Sequence, residues 1–157
     1  MGVDLVLRSP YQTIILPYRQ NSSGHNREFA VFIRADGDND VWQFVAGGGE
    51  DGESRIEAAE RELFEETGVR FESPLVELDT RSSIPANVFS AWNEWGDDVL
   101  VVTEFAYGVD FTSHGIELSH EHIEFRWVDF DMAMGLLTFD GNRTALWELN
   151  TRLERGL

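Results

Sequence analysis

Two stretches of the chain, residues 11–18 and 29–35, are short runs of β-branched and aromatic side chains. They predict two strands, joined by the turn-rich Asn21-Ser22-Ser23-Gly24-His25-Asn26. The polar Asp36-Gly37-Asp38-Asn39-Asp40 predicts a second loop, and residues 41–46 a short strand after it. A run of glycines follows as a loop, and then the period changes to that of a helix over residues 54–67. Ser54 and Glu57 have capping-box spacing, and Gly68 stands where a helix C-terminus ends. Residues 75–80, 99–107 and 123–128 read as further strands, and residues 131–137 as a short helix. Residues 144–153 form a better helix, with Ala145, Leu146, Leu149 and Leu153 along one stripe. Strands mixed with a few helices, out of strict alternation, predict an α+β fold in which helices cover a mixed sheet. The 157 residues carry no repeat and no linker, so residues 1–157 are expected to form one domain.

Composition narrows the chemistry. Cysteine is absent, which excludes disulfides, thiolate metal sites and cysteine nucleophiles. Lysine is absent as well, so a Walker P-loop and Schiff-base catalysis are excluded. Twenty-nine Asp and Glu against twelve Arg leave a formal charge of −17. Such a surface repels nucleic-acid phosphates, so no nucleic-acid partner is expected. An anionic small molecule would need cations to bridge it to the protein. The start, Met1-Gly2-Val3-Asp4, has neither a basic region nor an apolar run, and no segment approaches the ~20 apolar residues of a membrane span. No membrane partner and a cytoplasmic location are therefore expected.

One helix face concentrates charge. With Glu62 at zero, Glu66 lies at about +40° and Glu65 at about −60° around the axis. The small residues Ala58 and Ala59 flank this face and leave room for something to approach. Like charges one turn apart cost roughly 0.2–0.5 kcal/mol per pair, and the helix dipole opposes carboxylates near a C-terminus. The cluster is tolerable if solvated and favourable if it holds divalent cations. Hard oxygen donors suit Mg²⁺ or Mn²⁺.

Gly47, five residues, Glu53, seven residues, then Arg61-Glu62-Leu63-x-Glu65-Glu66-x-Gly68-Val69 matches the Nudix signature at each defined position. The sequence thus resembles the Nudix hydrolase family. That resemblance implies an α/β/α sandwich with helices on both sides of the mixed sheet, and metal-dependent cleavage of a substituted nucleoside diphosphate. It implies that Glu62, Glu65 and Glu66 ligate the metals, with Glu65 serving as ligand or as general base. Glu53 and Arg61 would form a supporting ion pair, and Gly47 and Gly48 would let the backbone approach metal and substrate. Ala46 departs from the proline found there in many members.

Residues 42–47, and 120–129 with His120-Glu121-His122 at their head, look like the bacterial dihydroneopterin triphosphate (dATP) pyrophosphohydrolase subgroup, as does Asn142-Arg143 before an apolar helix. This similarity implies a nucleoside or pterin polyphosphate as the small-molecule substrate and adds Glu121 to the catalytic and metal-binding set. Read without it, His120-Glu121-His122 is the charged start of a strand. Arg81 and Arg143 are candidate phosphate-binding forks, and Phe89, Trp92 and Trp95 are candidate stacking partners for a base. Pro85, sixteen residues after Val69, keeps an ADP-ribose or nucleotide-sugar diphosphatase open, and a non-catalytic nucleotide-binding module remains a third reading.

Overall fold

The computed structural model describes residues 7–20, 26–37, 40–71 and 75–157, without the side chain of Ile123. Residues 1–6, the expected turn at 21–25, and Asp38 and Asn39 of the second loop lie outside the described residues. Seven strands form one mixed sheet: β1 Arg8–Gln20, β2 Arg27–Arg34, β3 Trp42–Gln43, β4 Val45–Glu50, β5 Val76–Pro85, β6 Val101–Asp110 and β7 His122–Val128. Three α-helices accompany them: α1 Arg55–Thr67, α2 Phe130–Leu136 and α3 Asp140–Arg155.

β1 organises the sheet. β6 runs parallel along one edge of it, over residues 11–18, and β5 pairs antiparallel on the far side of β6. The other edge of β1 is shared, with β2 taking Tyr18 onward and β4 taking residues 8–15. β3 pairs with β2 and β4 with β1, so the sheet splays where the chain crosses between them. Among the described residues no strand pairs with the outer edge of β4.

Helices cover both faces. Ile14, Leu16, Phe29, Val31 and Ile33 pack under α2 and α3 against Ala133, Ala145, Leu146 and Leu149. Their sequence neighbours Ile15, Ala30 and Phe32 point the other way, to Ala59 and Leu63 of α1. The period-2 alternation of a strand sends successive side chains to opposite faces. The runs at 14–18 and 29–33 are apolar throughout because both faces are buried. Each such Ile, Leu or Phe contributes about 1.5–3 kcal/mol.

α1 has its expected ends. Ser54 Oγ accepts the Glu57 N–H at 3.2 Å, Glu57 Oε1 accepts the Ser54 N–H at 3.1 Å, and Gly68 closes the helix at φ +75°. Two differences from expectation bear on the site. The glycines are strand rather than loop, since β4 continues to Glu50 in antiparallel register with β1. α3 begins at Asp140, four residues early, which puts Asn142 and Arg143 inside its first turn. None of the described helices is long and apolar enough to cross a membrane.

Candidate active site

The glycines of β4 are extended, so their value is the missing side chain. A Cβ at Gly47 would collide with the Glu62 carboxylate, one at Gly48 with the Arg8 guanidinium, and one at Gly49 with the Tyr11 ring. Gly47 and Gly49 thus receive side chains on the α1 face and Gly48 on the opposite face. At an unpaired sheet edge this leaves the strand at its thinnest.

Arg61 ties this strand to α1. Its Nε and Nη2 donate to the two Glu53 oxygens at 2.8 and 3.0 Å, and Nη2 also donates to the Gly48 carbonyl at 3.0 Å. Nη1 reaches Glu62 at 3.0 Å and Glu65 at 3.2 Å. Glu53 Oε1 in turn accepts the Glu50 N–H at 2.7 Å. The hydrogen bond from Arg61 holds the Glu53 carboxyl below its usual range, and Glu53 raises Arg61 further above neutrality. Glu62 is only 12% exposed. Its burial outweighs the neighbouring Arg61 and pushes its pKa up to about 7.

Glu66 is buried on the far side of the same face. Burial alone would raise it, but the adjacent His122, Glu121 and Ser119 side chains carry it down instead. Ser119 Oγ donates to its Oε2 at 2.6 Å. His122 Nδ1 lies 2.6 Å from the same oxygen, off the alignment of a good hydrogen bond. Glu121 faces the Glu66 carboxylate, and that neighbour, followed by burial, raises its own pKa. Neighbouring carboxylates face elsewhere: Glu117 lies against Gly68 and Glu124 accepts from Arg126.

The four glutamates are not gathered round one point. Among the described residues no three acidic or imidazole groups form a ready metal cage. Arg61 draws Glu62 and Glu65 to itself, while Ser119 and His122 engage Glu66. The donor set nevertheless fits Mg²⁺ or Mn²⁺: all its groups are hard carboxylate oxygens, and one of them lies directly over a backbone that lacks a Cβ.

The two expected phosphate forks lie elsewhere. Arg143 donates to the Leu137 carbonyl and to Asp140, tying the end of α2 to the start of α3. Arg81 is exposed and lies 5.0 Å from the centre of the Phe105 ring, which Arg55 approaches at 4.0 Å. Neither meets a carboxylate of α1. The half-buried arginine beside the glycines is Arg8, over the rings of Phe89 (4.6 Å) and against Gly48. Sequence reasoning missed Arg8 and Ser119. The pairing of β1 with β4 puts Arg8 there, and the turn before β7 brings Ser119 to Glu66.

On the Gly48 face a cavity of about 550 Å³ opens between the sheet and the start of α3. Ile14, Ala46 and Phe89 contribute apolar wall, and Gln12, Glu104 and Asn142 polar groups. Of the three candidate aromatics only Phe89 lines it. Trp92 donates to the Val99 carbonyl and Trp95 to the Arg8 carbonyl. A larger cavity of about 660 Å³, beside Asn26, Trp127 and Asn150, touches none of the site residues.

Comparison with known proteins identifies the family and the fold. The Nudix domain matches residues 12–147. The chain is 36% identical over 122 residues to an RNA pyrophosphohydrolase of Bradyrhizobium, covering 72% of this chain and 68% of that protein. It is 26% identical over 145 residues to the dihydroneopterin triphosphate diphosphatase of Escherichia coli, covering 91% and 93%. A match of 38% to an octanoyltransferase of Myxococcus xanthus covers 65% of this chain, which spans 26% of that longer protein. Among solved structures, a Nudix hydrolase from Listeria monocytogenes superposes with TM-score 0.82 at 41% identity, covering 94% and 97% of the two chains. The E. coli dihydroneopterin triphosphate pyrophosphohydrolase superposes with TM-score 0.72 at 25% identity, covering 93% and 99%. With the domain matched over most of its length and the signature carboxylates on one helix, this chain belongs to the Nudix hydrolase family.

Proposed function

We propose that the protein is a metal-dependent pyrophosphohydrolase that cleaves a nucleoside or pterin triphosphate to the monophosphate and pyrophosphate. One observation carries this reading: the acidic face of α1 and a cavity large enough for a heterocycle lie on opposite sides of the glycine edge of β4. A substrate with its ring in the cavity would pass its phosphates over Gly47 and Gly48 to the carboxylates. Glu62, Glu65, Glu66 and Glu121 would hold Mg²⁺ or Mn²⁺. Bound cations would neutralise phosphate oxygens and acidify the attacking water.

The chain's own groups have separate tasks in this scheme. Arg61 and Glu53 fix α1 to β4, so that Glu62 is held against the Gly47 backbone. Ser119 and His122 hold Glu66 ionised inside the fold. Glu121 or the half-exposed Glu65 would take the proton of the water as its oxygen bonds to phosphorus and pyrophosphate leaves. Arg8 is the cation on the cavity side of the glycines.

A substrate panel with Mg²⁺ tests the reading. Pyrophosphate from dihydroneopterin triphosphate or a deoxynucleoside triphosphate is the expected product. Pro85 lines the cavity, which supports ADP-ribose or a nucleotide sugar as second reading. AMP plus a sugar phosphate would favour that. Release confined to 5′-triphosphorylated RNA would favour the chemistry named for the Bradyrhizobium relative.

A further inference from the structure

The sheet register places Gly48, Gln12, Glu104 and Ser82 side by side across β4, β1, β6 and β5. Partners in register share a face, so these four residues form one polar row across the floor of the cavity. Gln12, Glu104 and Ser82 line it, and the row ends at Gly48, over which the Arg8 guanidinium lies. In this row Glu104 is exceptional. It is 7% exposed, and among the described residues its carboxylate makes no hydrogen bond or ion pair. Burial alone pushes its pKa up to about 7. The neighbouring acceptors are already engaged: Gln12 Oε1 accepts from Arg8, and Asn142 Oδ1 accepts the Phe44 N–H at 3.0 Å.

A buried carboxylate without a partner costs stability, and the cavity is where a partner can reach it. Gly141 keeps that path open. A Cβ there would collide with Ser82 Oγ and stand 3.6 Å from Glu104 Oε1. Glu104 is two strands from Gly48, roughly 10 Å at sheet spacing. That is about the span from the edge of a nucleobase to its first phosphate.

Building on the reading that this cavity takes the heterocycle of the substrate, we infer that Glu104 is a specificity-determining residue. Its two carboxylate oxygens accept a pair of adjacent N–H donors, the amino-pyrimidinone edge shared by guanine and pterin rings. The geometry of a carboxylate suits two parallel hydrogen bonds. Adenine presents one donor beside one acceptor and leaves a carboxylate oxygen opposed to a ring nitrogen. Hypoxanthine keeps the ring N–H but lacks the amino group.

Binding of GMP, IMP, AMP and free pterin, measured by calorimetry with saturating Mg²⁺, tests this separately from hydrolysis, because none of the four carries a phosphoanhydride bond. In the parent protein GMP and pterin should bind at least about tenfold more tightly than AMP, with IMP between them. Glu104→Gln presents one acceptor and one donor, so GMP and pterin should weaken by about tenfold or more while AMP holds or gains. A parent that ranks the ligands in this way but releases no pyrophosphate from any triphosphate would retain the specificity assignment and lose the proposed reaction. The inference is overturned if the parent binds AMP as tightly as GMP, if it binds none of the four, or if folded Glu104→Gln keeps the parental ranking.

Discussion

Replacing Arg61 with alanine removes the side chain that joins loop, strand and helix at the proposed site. Its guanidinium is 22% exposed, and the two carboxylates it holds most closely are 19% (Glu53) and 12% (Glu62) exposed. Charge-assisted hydrogen bonds contribute about 1.5–3 kcal/mol each, but bonds sharing one side chain do not add. The governing cost is two largely buried carboxylates left without their cation, which puts the loss near the lower end of the roughly 3–5 kcal/mol range for broken buried pairs. In a domain of this size, about 3 kcal/mol corresponds to roughly 6–12 °C in Tm. Urea denaturation and calorimetry at pH 8 measure both quantities. Arg61→Lys restores the charge but cannot reproduce the fork to Glu53, so it should recover only part of the loss. In the double variant Arg61→Ala/Glu53→Gln one of the two stranded carboxylates is gone, and stability should rise above that of Arg61→Ala. A loss below about 1 kcal/mol in Arg61→Ala, with no recovery in the double variant, would refute the assignment of Arg61 as the tie.

Saturating Mg²⁺ or Mn²⁺ should raise the melting temperature of the parent, by an amount corresponding to about 2.7 kcal/mol at one hundred times Kd, and should leave Glu62→Gln/Glu66→Gln unmoved. Glu104 has a folded pKa of about 7 against 4.5 for the free side chain, so the folded state binds the proton more tightly. Its contribution is intact below pH 4.5 and is lost as pH rises through 7, a difference of about 3 kcal/mol. Glu104→Gln should therefore exceed the parent in stability at pH 8 by up to that amount, with the gap closing toward pH 4.5. A gap independent of pH in paired denaturation curves would count against this. Glu121→Gln should lower turnover about 10²-fold with little change in Tm, whereas Glu117→Gln and Glu124→Gln should stay near parental. Collapse in either control would move the role to that residue.

The parts of the fold legible in the sequence were those set by local rules. The apolar runs of β1 and β2, the Ser54–Glu57 capping box and the left-handed Gly68 all stand where local pattern puts them. Glycines ordinarily signal a turn, yet Gly47–Gly49 continue a strand, because pairing with β1 and close approach of Glu62, Arg8 and Tyr11 decide their backbone. β5 runs five residues beyond its expected end at Thr80 because β6 pairs with residues 81–85, a contact distant in sequence. The same limit applies at the site. The helical face of Glu62, Glu65 and Glu66 follows from spacing. Arg8, Ser119 and Glu104 owe their positions to strand register and to the turn before β7, which no local pattern reports. Arg81 and Arg143 suit phosphate by type; strand pairing and helix packing set Arg81 beside the Phe105 ring and Arg143 at the junction of α2 and α3.

In the proposed reaction the acidic face of α1 drives cleavage of a triphosphate. Phosphorus NMR of a deoxynucleoside or dihydroneopterin triphosphate incubated with Mg²⁺ tests it most directly, run side by side on the parent and on Glu62→Gln/Glu66→Gln. The parent should yield monophosphate and pyrophosphate in stoichiometric amounts, and a double variant that still melts cooperatively should yield neither above background. Equal product from both proteins would contradict it.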